Sequence, residues 1–141
     1  MKDPSNNVDL IELINSTYFT LRKTREELWG NSHNLSITNS EWYILSLIYG
    51  KQPTISEIAQ QINISRQAAH KSIKTLNTKG LILINNVQNN NRNKCLKLTP
   101  LGETCFLENK QMKETIESNI ESKIGSDNVT LLKTLLQKEW N

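Results

Sequence analysis

The stretch from Ser65 to Gly80 constrains the chain most, because it has the features of one short helix with two unlike faces. Serine is a residue type that caps a helix N-terminus, and glycine is the type that ends a helix in the left-handed conformation. At about 100° per residue, the apolar residues share one narrow stripe, which consists of Ala69, Ile73 and Leu76. The opposite face carries amide, imidazole, ammonium and hydroxyl groups and no acid: Gln67, His70, Lys71, Lys74 and Thr78. Such a face suits phosphates and base edges in the major groove of DNA, although a solvated surface helix has the same pattern.

The charge of the chain is distributed unevenly along the sequence. The formal net charge is only +3. Between Glu57 and Glu103, however, there are seven basic residues and no acidic one, whereas the rest of the chain has 14 acidic and 10 basic residues. A basic central module in an acidic frame is typical of a protein that contacts a polyanion locally.

A second short helix precedes this stretch. Thr54 and Glu57 have the spacing of a capping box, and the apolar side that follows consists of Ile58, Ala59 and Ile62. Asn63 suits a tight turn because asparagine adopts positive φ more easily than most residues, and we expect Ile64 to be buried between the turn and the next helix. The two helices and their turn predict a helix-turn-helix whose second member is the stretch described above.

After Gly80 the hydrophobic period changes from helical to extended. Residues 81–84 form a β-rich apolar run, residues 85–93 read as a polar loop, and residues 94–99 alternate so that Leu96 and Leu98 share one face. This pattern predicts a β-hairpin with a long basic tip. A helix-turn-helix followed by such a hairpin is a winged helix, to which we assign residues 38–99.

Further helices are predicted on both sides of this core. Apolar residues recur every three or four positions over residues 9–29, and a turn-rich link follows over residues 30–37. Thr38 and Glu41 then have the spacing of a capping box at the start of the next helix.

A long helix over residues 100–124 is expected after the hairpin, with Thr99 as its cap and Pro100 at its first position. A last helix reaching Trp140 follows, for which Ser126 and Asp127 are the candidate caps. The apolar surfaces of residues 9–29 and 100–140 are large for a small monomer, so we expect them to be dimerisation helices. For residues 9–29 the alternative is ordinary packing in the core of a single chain.

In their order and spacing, these segments resemble the MarR family of bacterial transcriptional regulators. The resemblance covers nearly all of the chain as one domain, residues 1–141. It rests on three segments. They are the start of the second helix (Thr38–Leu47), the helix-turn-helix that closes with Lys-Gly-Leu-Ile (Ile55–Ile82) and the exit from the wing (Leu98–Gly102). It implies a mainly α fold with a small β-hairpin, namely a winged helix-turn-helix with N- and C-terminal dimerisation helices. It also implies a homodimer that presents one recognition helix and one wing per subunit to a pseudo-palindromic site.

The wing departs from the pattern of that family, in which an aspartate is usually followed by two arginines. The matching stretch here is Asn90-Asn91-Arg92. We expect Arg92 to take the minor-groove role, because narrow A·T-rich DNA attracts arginine. Since the acid and the first arginine are missing, the share of the wing in DNA affinity stays open.

The outward face of the Ser65–Gly80 helix supplies most of the predicted DNA contacts. Gln67 lies early in the helix, where its amide can bond adenine bidentately. Arg66 sits to the side, within reach of a guanine or a phosphate, and Lys74, further along, suits a backbone phosphate. Ser65 can bond a phosphate as well as cap, because a helix N-terminus favours an anion. The predicted set is Ser65, Arg66, Gln67, His70, Lys71, Lys74, Arg92 and Lys94, against the alternative of a solvated face.

A small-molecule effector is implied by the family resemblance, in a pocket between the dimerisation helices and the DNA-binding module. Aromatic side chains are the candidates to line it, and they are Tyr18, Trp29, Trp42 and Tyr43. Each of them also fits a simple role in the core.

The leading prediction is a homodimeric, sequence-specific regulator that binds double-stranded DNA and acts as a repressor released by a small molecule or another signal. The alternative is a winged-helix module that binds protein instead of DNA. That alternative expects an apolar or mixed-charge outward face on the Ser65–Gly80 helix, and the acid-free interval argues against it. A gel-shift against the promoter region of the chain's own gene would separate the two.

Other classes of function are not expected. The sequence has no glycine-rich phosphate loop, nucleophile motif or paired carboxylates, so we predict no enzyme. His33 and His70 lie on different elements, so neither a metal nor another cofactor is expected. Cys95 and Cys105 are expected to be inert thiols and not a redox sensor. No apolar run approaches a membrane span and no signal-peptide pattern is present, which predicts a cytoplasmic protein without membrane contact.

Overall fold

The structure, a computed structural model, describes residues 9–62, 64–87 and 90–141, with side chains described outside residues 86–93. Asn63, to which the sequence assigns the tight turn, lies outside the described residues. Over the described ranges, helices flank a two-stranded antiparallel hairpin in the order α1 (Leu10–Ser32), α2 (Asn39–Ile48), α3 (Ile55–Ile62), α4 (Arg66–Thr78), β1 (Ile82–Val87), β2 (Asn90–Leu98), α5 (Pro100–Ile124) and α6 (Ser126–Leu136). The predicted fold class, mainly α with a small β-hairpin, is therefore confirmed.

The contacts divide the chain into two compact units. We call them the terminal unit, Met1–Asn34 with Met112–Asn141, and the central unit, Leu35–Gln111. Helix α5 contributes residues to both. The central unit contains the predicted winged helix, and its core is built from side chains of α2, α3, α4 and the hairpin. The largest fully buried side chains are Ile44, Leu45, Ile48, Ile58, Ile73, Leu76, Leu81, Ile82 and Leu96.

Helix starts in the central unit follow the predicted caps. The backbone N–H of Glu41 donates to Thr38 Oγ1 at 3.2 Å, and Glu41 Oε1 accepts from the backbone N–H of Thr38 at 3.1 Å, so the predicted capping box is present. Thr54 caps α3 by accepting from the backbone N–H of Glu57 at 3.2 Å. Thr99 Oγ1 accepts from the backbone N–H of Gly102 at 3.0 Å at the start of α5.

The end of α4 is a Schellman motif at Gly80, whose φ of +76° is a conformation that glycine adopts without strain. The backbone N–H of Gly80 donates to the carbonyl of Asn77, and that of Leu81 donates to the carbonyl of Leu76, both at 3.0 Å. The chain turns directly from α4 into β1, and the predicted stop at Gly80 is confirmed.

The hairpin is longer than the sequence predicts. The expectation of a polar loop over residues 85–93 is wrong, because β1 runs to Val87 and β2 begins at Asn90. The register pairs Ile82 with Leu98 and shifts between Asn86 and Val87. A two-stranded ladder is held by backbone hydrogen bonds, so it continues through polar residues that hydrophobic alternation does not detect.

One further expectation about the central unit is wrong, and one contact was not predicted. Ile64 is 39% exposed instead of buried. It lies before the cap of α4, and the buried residues nearest to it on either side are Ile58 of α3 and Ala69 of α4. The segment before α3 also pairs with the hairpin, since the backbone N–H of Leu96 donates to the carbonyl of Pro53 at 2.8 Å.

In the terminal unit, α1 does not end at residue 29 but continues through Gly30 to Ser32. Glycine inside a helix costs only about 1 kcal/mol, so the helix can continue where its end is satisfied. Here Ser32 Oγ donates to the carbonyl of Leu28 at 3.2 Å, and His33 Nδ1 lies 3.1 Å from the carbonyl oxygen of Trp29.

The expected caps of the last helix are likewise wrong. The N-cap of α6 is Gly125, at φ +92°, without a side-chain hydrogen bond, and Ser126 and Asp127 lie inside the helix. The positive φ of glycine lets the chain turn sharply from α5 into α6, so no polar cap precedes the first helical residue. Trp140 lies beyond α6, and its Nε1 donates to the carbonyl of Leu135 at 2.9 Å.

Much apolar surface of the terminal unit stays exposed in the single chain. Large exposed side chains on α1 and α6 include Leu10, Ile11, Tyr18, Phe19, Leu131, Leu132, Leu135 and Leu136. Lys133 of α6 forms an ion pair with Glu117 of α5. None of the helices that the structure describes is both long and apolar enough to cross a bilayer.

Candidate nucleic-acid interface

Helix α4 has the two faces that its sequence predicts. Ser65 is its N-cap, with a hydroxyl that accepts from the backbone N–H of Ala68 at 3.0 Å. The apolar stripe is confirmed, because Ala69, Ile73 and Leu76 are all buried. The side chains assigned to DNA contact are all exposed, and on this helix and its cap they are Ser65, Arg66, Gln67, His70, Lys71 and Lys74. The buried stripe packs in the core of the central unit and therefore turns this polar face to solvent.

Part of that face forms one wall of a groove of about 370 Å³ beside the hairpin. Arg66, His70 and Lys74 are spaced four residues apart and therefore line the same side of α4. Lys94 of β2 also lines the groove, although it is 20 residues further along the sequence than Lys74. We call this site the basic groove, and its lining residues are Ile55, Ser56, Arg66, His70, Ile73, Lys74, Ile84 and Lys94.

The basic groove is electrostatically one-sided. Among the described residues that line it none is acidic, and three of them, Arg66, Lys74 and Lys94, are cations. The groove begins at the N-terminal end of α4, where the helix dipole adds a partial positive charge. An arrangement of this kind attracts phosphate oxygens, which Arg and Lys bind through charge-assisted hydrogen bonds.

Four of the eight predicted contact residues thus meet in one groove, and three others, Ser65, Gln67 and Lys71, lie beside it on the exposed part of α4 or its cap. The eighth, Arg92, lies in β2, and the described part of the structure does not include its side chain. Sequence reasoning missed Ile55 and Ser56, which α3 contributes to the groove wall. Their capping-box context indicated a helix start but gave no sign of the groove.

The residues proposed to line an effector pocket differ in their exposure. Trp29 and Trp42 are buried, whereas Tyr18 and Tyr43 are each 51% exposed. Trp29 stacks on the imidazole of His33 with ring centroids 3.5 Å apart. Burial accounts for Trp29 and Trp42 as packing groups, and the effector role of all four residues stays a prediction.

Both cysteines are free thiols. Cys105 is buried and Cys95 is half-buried. Burial raises the pKa of the Cys105 thiol, and the nearby negative charge of Glu108 acts in the same direction. A raised pKa lowers the thiolate fraction at neutral pH, which makes Cys105 a weak nucleophile. In the described part of the chain, no three His, Cys, Asp or Glu side chains cluster in a way that would hold a metal ion.

Comparison with known proteins agrees with this architecture. Residues 35–83 match the model of the MarR family. No curated protein matches the chain significantly. Among solved structures, the chain is similar to the reduced form of MarR from E. coli, with 21% identity, coverage of 97% of this chain and 100% of that chain, and a TM-score of 0.78.

Two further structures share the fold. FabT from Streptococcus pneumoniae, solved in complex with DNA, has 17% identity, coverage of 90% of both chains and a TM-score of 0.79. The transcriptional regulator BldR from Sulfolobus solfataricus has 18% identity, coverage of 97% of this chain and 96% of that chain, and a TM-score of 0.68. The predicted resemblance to the MarR family is confirmed over residues 35–83, and the solved structures share the winged helix-turn-helix fold of the chain.

Proposed function

We propose that the chain is a homodimeric, sequence-specific regulator of transcription that binds double-stranded DNA. The observation that carries this proposal is the basic groove, in which α4 and β2 bring Arg66, His70, Lys74 and Lys94 together, with no acid among the described lining residues. A repressor role, with release by a small molecule or another signal, is the mode that the family resemblance favours.

The dimensions of α4 suit the major groove. Its 13 residues give a helix about 20 Å long, and a major groove about 12 Å wide admits an α-helix. With the exposed side of α4 towards the bases, Gln67 near its start reaches a base edge. Arg66 and Lys74 then face the phosphates along the groove wall, and Lys94 adds a contact from the hairpin.

The exposed apolar side chains of α1 and α6 support the homodimer. A single chain leaves these faces in water, and covering them with the same faces of a second copy removes a large apolar area from solvent. Two copies of α4 would then bind half-sites about 34 Å apart, one turn of the DNA helix. The FabT structure in complex with DNA supports the same mode of binding by analogy.

The replacement Gln67→Ala tests whether α4 reads bases. We expect it to remove the preference at one base pair per half-site, at a cost of about 1–3 kcal/mol, because the bidentate amide contact to adenine is lost. Since glutamine is neutral, the dependence of affinity on salt should not change. The measurement is selection of bound duplexes from a random-sequence pool, followed by dissociation constants for the selected sites.

Gln60→Ala, on the exposed surface of α3, is the matched control, since it removes the same amide from a helix that is not proposed to read bases. An unchanged base preference in Gln67→Ala would contradict the role of this side chain. Enrichment of no sequence by the wild-type chain would contradict sequence-specific binding as a whole and would favour a protein-binding module.

A further inference from the structure

Lys79, a cation of the acid-free interval, is half-buried, whereas the cations of the basic groove are exposed. Lys79 Nζ lies 2.9 Å from both carboxylate oxygens of Glu41 and 2.6 Å from the carbonyl oxygen of Ser36. The side chain of Glu41 is 4% exposed and that of Lys79 is 22% exposed. An ammonium group has three donors and here has three acceptors, so its hydrogen-bonding capacity is used within the central unit.

We propose that Lys79 is a positioning residue, which fixes the C-terminal end of α4 against the first turn of α2 and does not contact DNA. This inference rests on the proposed function, because it concerns how the recognition helix is held for sequence readout. It separates Lys79 from the basic groove, although charge pattern alone would group it with Lys71 and Lys74.

The geometry of both helix ends supports this role. Lys79 is the C-cap of α4, so its side chain leaves the helix where the Schellman motif at Gly80 turns the backbone. Glu41 is the N3 residue of α2, and its Oε1 also accepts from the backbone N–H of Thr38. The carboxylate therefore links the end of one helix to the capped start of another, 38 positions earlier in the sequence.

A small tilt at the C-terminal end of α4 would displace the side chains at its N-terminal end, which are the ones proposed to read DNA. The contacts of Lys79 hold the C-terminal end, whereas Arg66 and Gln67 lie at the opposite end, about 20 Å away. A tilt of about 10° at the held end would move those side chains by roughly 3 Å, as much as the length of a hydrogen bond. Loss of the Lys79–Glu41 pair should therefore reduce discrimination between sequences more than general attraction to DNA.

The decisive comparison is between Lys79→Met and Lys74→Met, which remove the same charge from the two sites that this inference separates. Dissociation constants are measured for a selected operator and for random duplex DNA over a range of salt concentrations. We expect Lys79→Met to lower the ratio of operator affinity to random-DNA affinity roughly tenfold. The salt dependence should not change, because Lys79 affects DNA binding only through the placement of α4. We expect Lys74→Met to weaken both DNAs and to reduce the salt slope by about 1 per subunit.

Two further variants distinguish loss of the Lys79–Glu41 pair from loss of folding. Glu41→Gln keeps a capping-box residue at this position and removes only the charge, and it should also lower the affinity ratio with an unchanged salt slope. The double variant Glu41→Gln with Lys79→Met leaves no buried unpaired carboxylate, so its ratio should be higher than that of Lys79→Met alone. Thermal unfolding of each variant identifies the temperature at which all are folded, and binding is measured there.

A reduced salt slope and weaker binding to random DNA in Lys79→Met would overturn the inference, because they would show a phosphate contact. An unchanged affinity ratio in Lys79→Met and Glu41→Gln would overturn it as well. Either result would leave the proposed function intact as long as the wild-type chain binds its operator. Failure of the wild-type chain to bind any DNA would instead remove the proposed function itself.

Discussion

Replacement of Arg66, Lys74 and Lys94 by alanine is expected to lower the affinity for DNA on the order of 1,000-fold or more at physiological salt, since hydrogen bonds to charged groups contribute about 1.5–3 kcal/mol each. The three cations line one groove, and none of the described residues that line it with them is acidic. The slope of log affinity against log salt should fall by about 2.7 per subunit, because each phosphate contact contributes about 0.9 to the slope. Fluorescence anisotropy with a labelled duplex measures both quantities.

The matched control for this triple variant removes three exposed cations from α5, namely Lys110, Lys113 and Lys123. It changes the net charge equally but leaves the basic groove intact, so its salt slope should stay close to that of the wild-type chain. Equal losses in the two triple variants would show that net charge, and not the groove, attracts the DNA.

Gly102→Ala is expected to lower the free energy of unfolding by about 3 kcal/mol, near the upper end of the usual cost of overpacking. A Cβ at this position would lie 2.0 Å from the carbonyl oxygen of Leu81 and 3.0 Å from its carbonyl carbon. Both are backbone atoms, so no side chain can move aside. The same region holds α5 to the end of α4, because the backbone N–H of Thr99 donates to the carbonyl of Leu81 at 3.1 Å.

Gly30→Ala is the control for this stability measurement. An added Cβ at Gly30 meets nothing within 4 Å, and the residue lies inside α1 at an ordinary helical φ. It should stabilise the chain by about 0.5–1 kcal/mol, the usual difference between alanine and glycine in a helix. Urea unfolding at a constant m-value measures both changes, and a Gly102→Ala variant within about 0.5 kcal/mol of wild type would contradict the close approach of Gly102 to Leu81.

The elements that the sequence predicts well are those set by local chemistry. The caps at Thr38, Ser65 and Thr99 depend on hydrogen bonds within one helical turn, and the stop at Gly80 depends on the φ of a single residue. The buried stripe of α4 follows from helical periodicity alone. The outward face, which carries most of the proposed DNA contacts, follows from the same periodicity, because it is the side of the helix opposite the stripe.

The elements that the sequence predicts poorly depend on backbone pairing or on contacts between distant segments. The strands of the wing continue past the apolar run because ladder hydrogen bonds do not require apolar side chains. Helix α1 passes Gly30 because its end is satisfied by Ser32 and His33, which no periodicity reveals. The Lys79–Glu41 pair joins positions 38 residues apart, and in the sequence each has the pattern of an ordinary end-of-helix charge.

The sequence predicted which residues belong to the candidate site better than it predicted how those residues are arranged in space. The sequence indicated Arg66, His70 and Lys74 through their common helix face, but only the register of the hairpin brings Lys94 to the same groove. Ser56 enters the groove through the placement of α3 against α4, a tertiary contact without a sequence signal.

The measurement that tests sequence-specific DNA binding most directly is the affinity of the wild-type chain for a selected operator and for random duplex DNA over a range of salt concentrations. With three groove cations in each of two subunits, we expect a slope of log affinity against log salt of about −5. We also expect the operator to bind at least about 1,000-fold more tightly than random DNA. Equal binding to all sequences, together with an affinity that does not depend on salt, would contradict sequence-specific DNA binding by this chain.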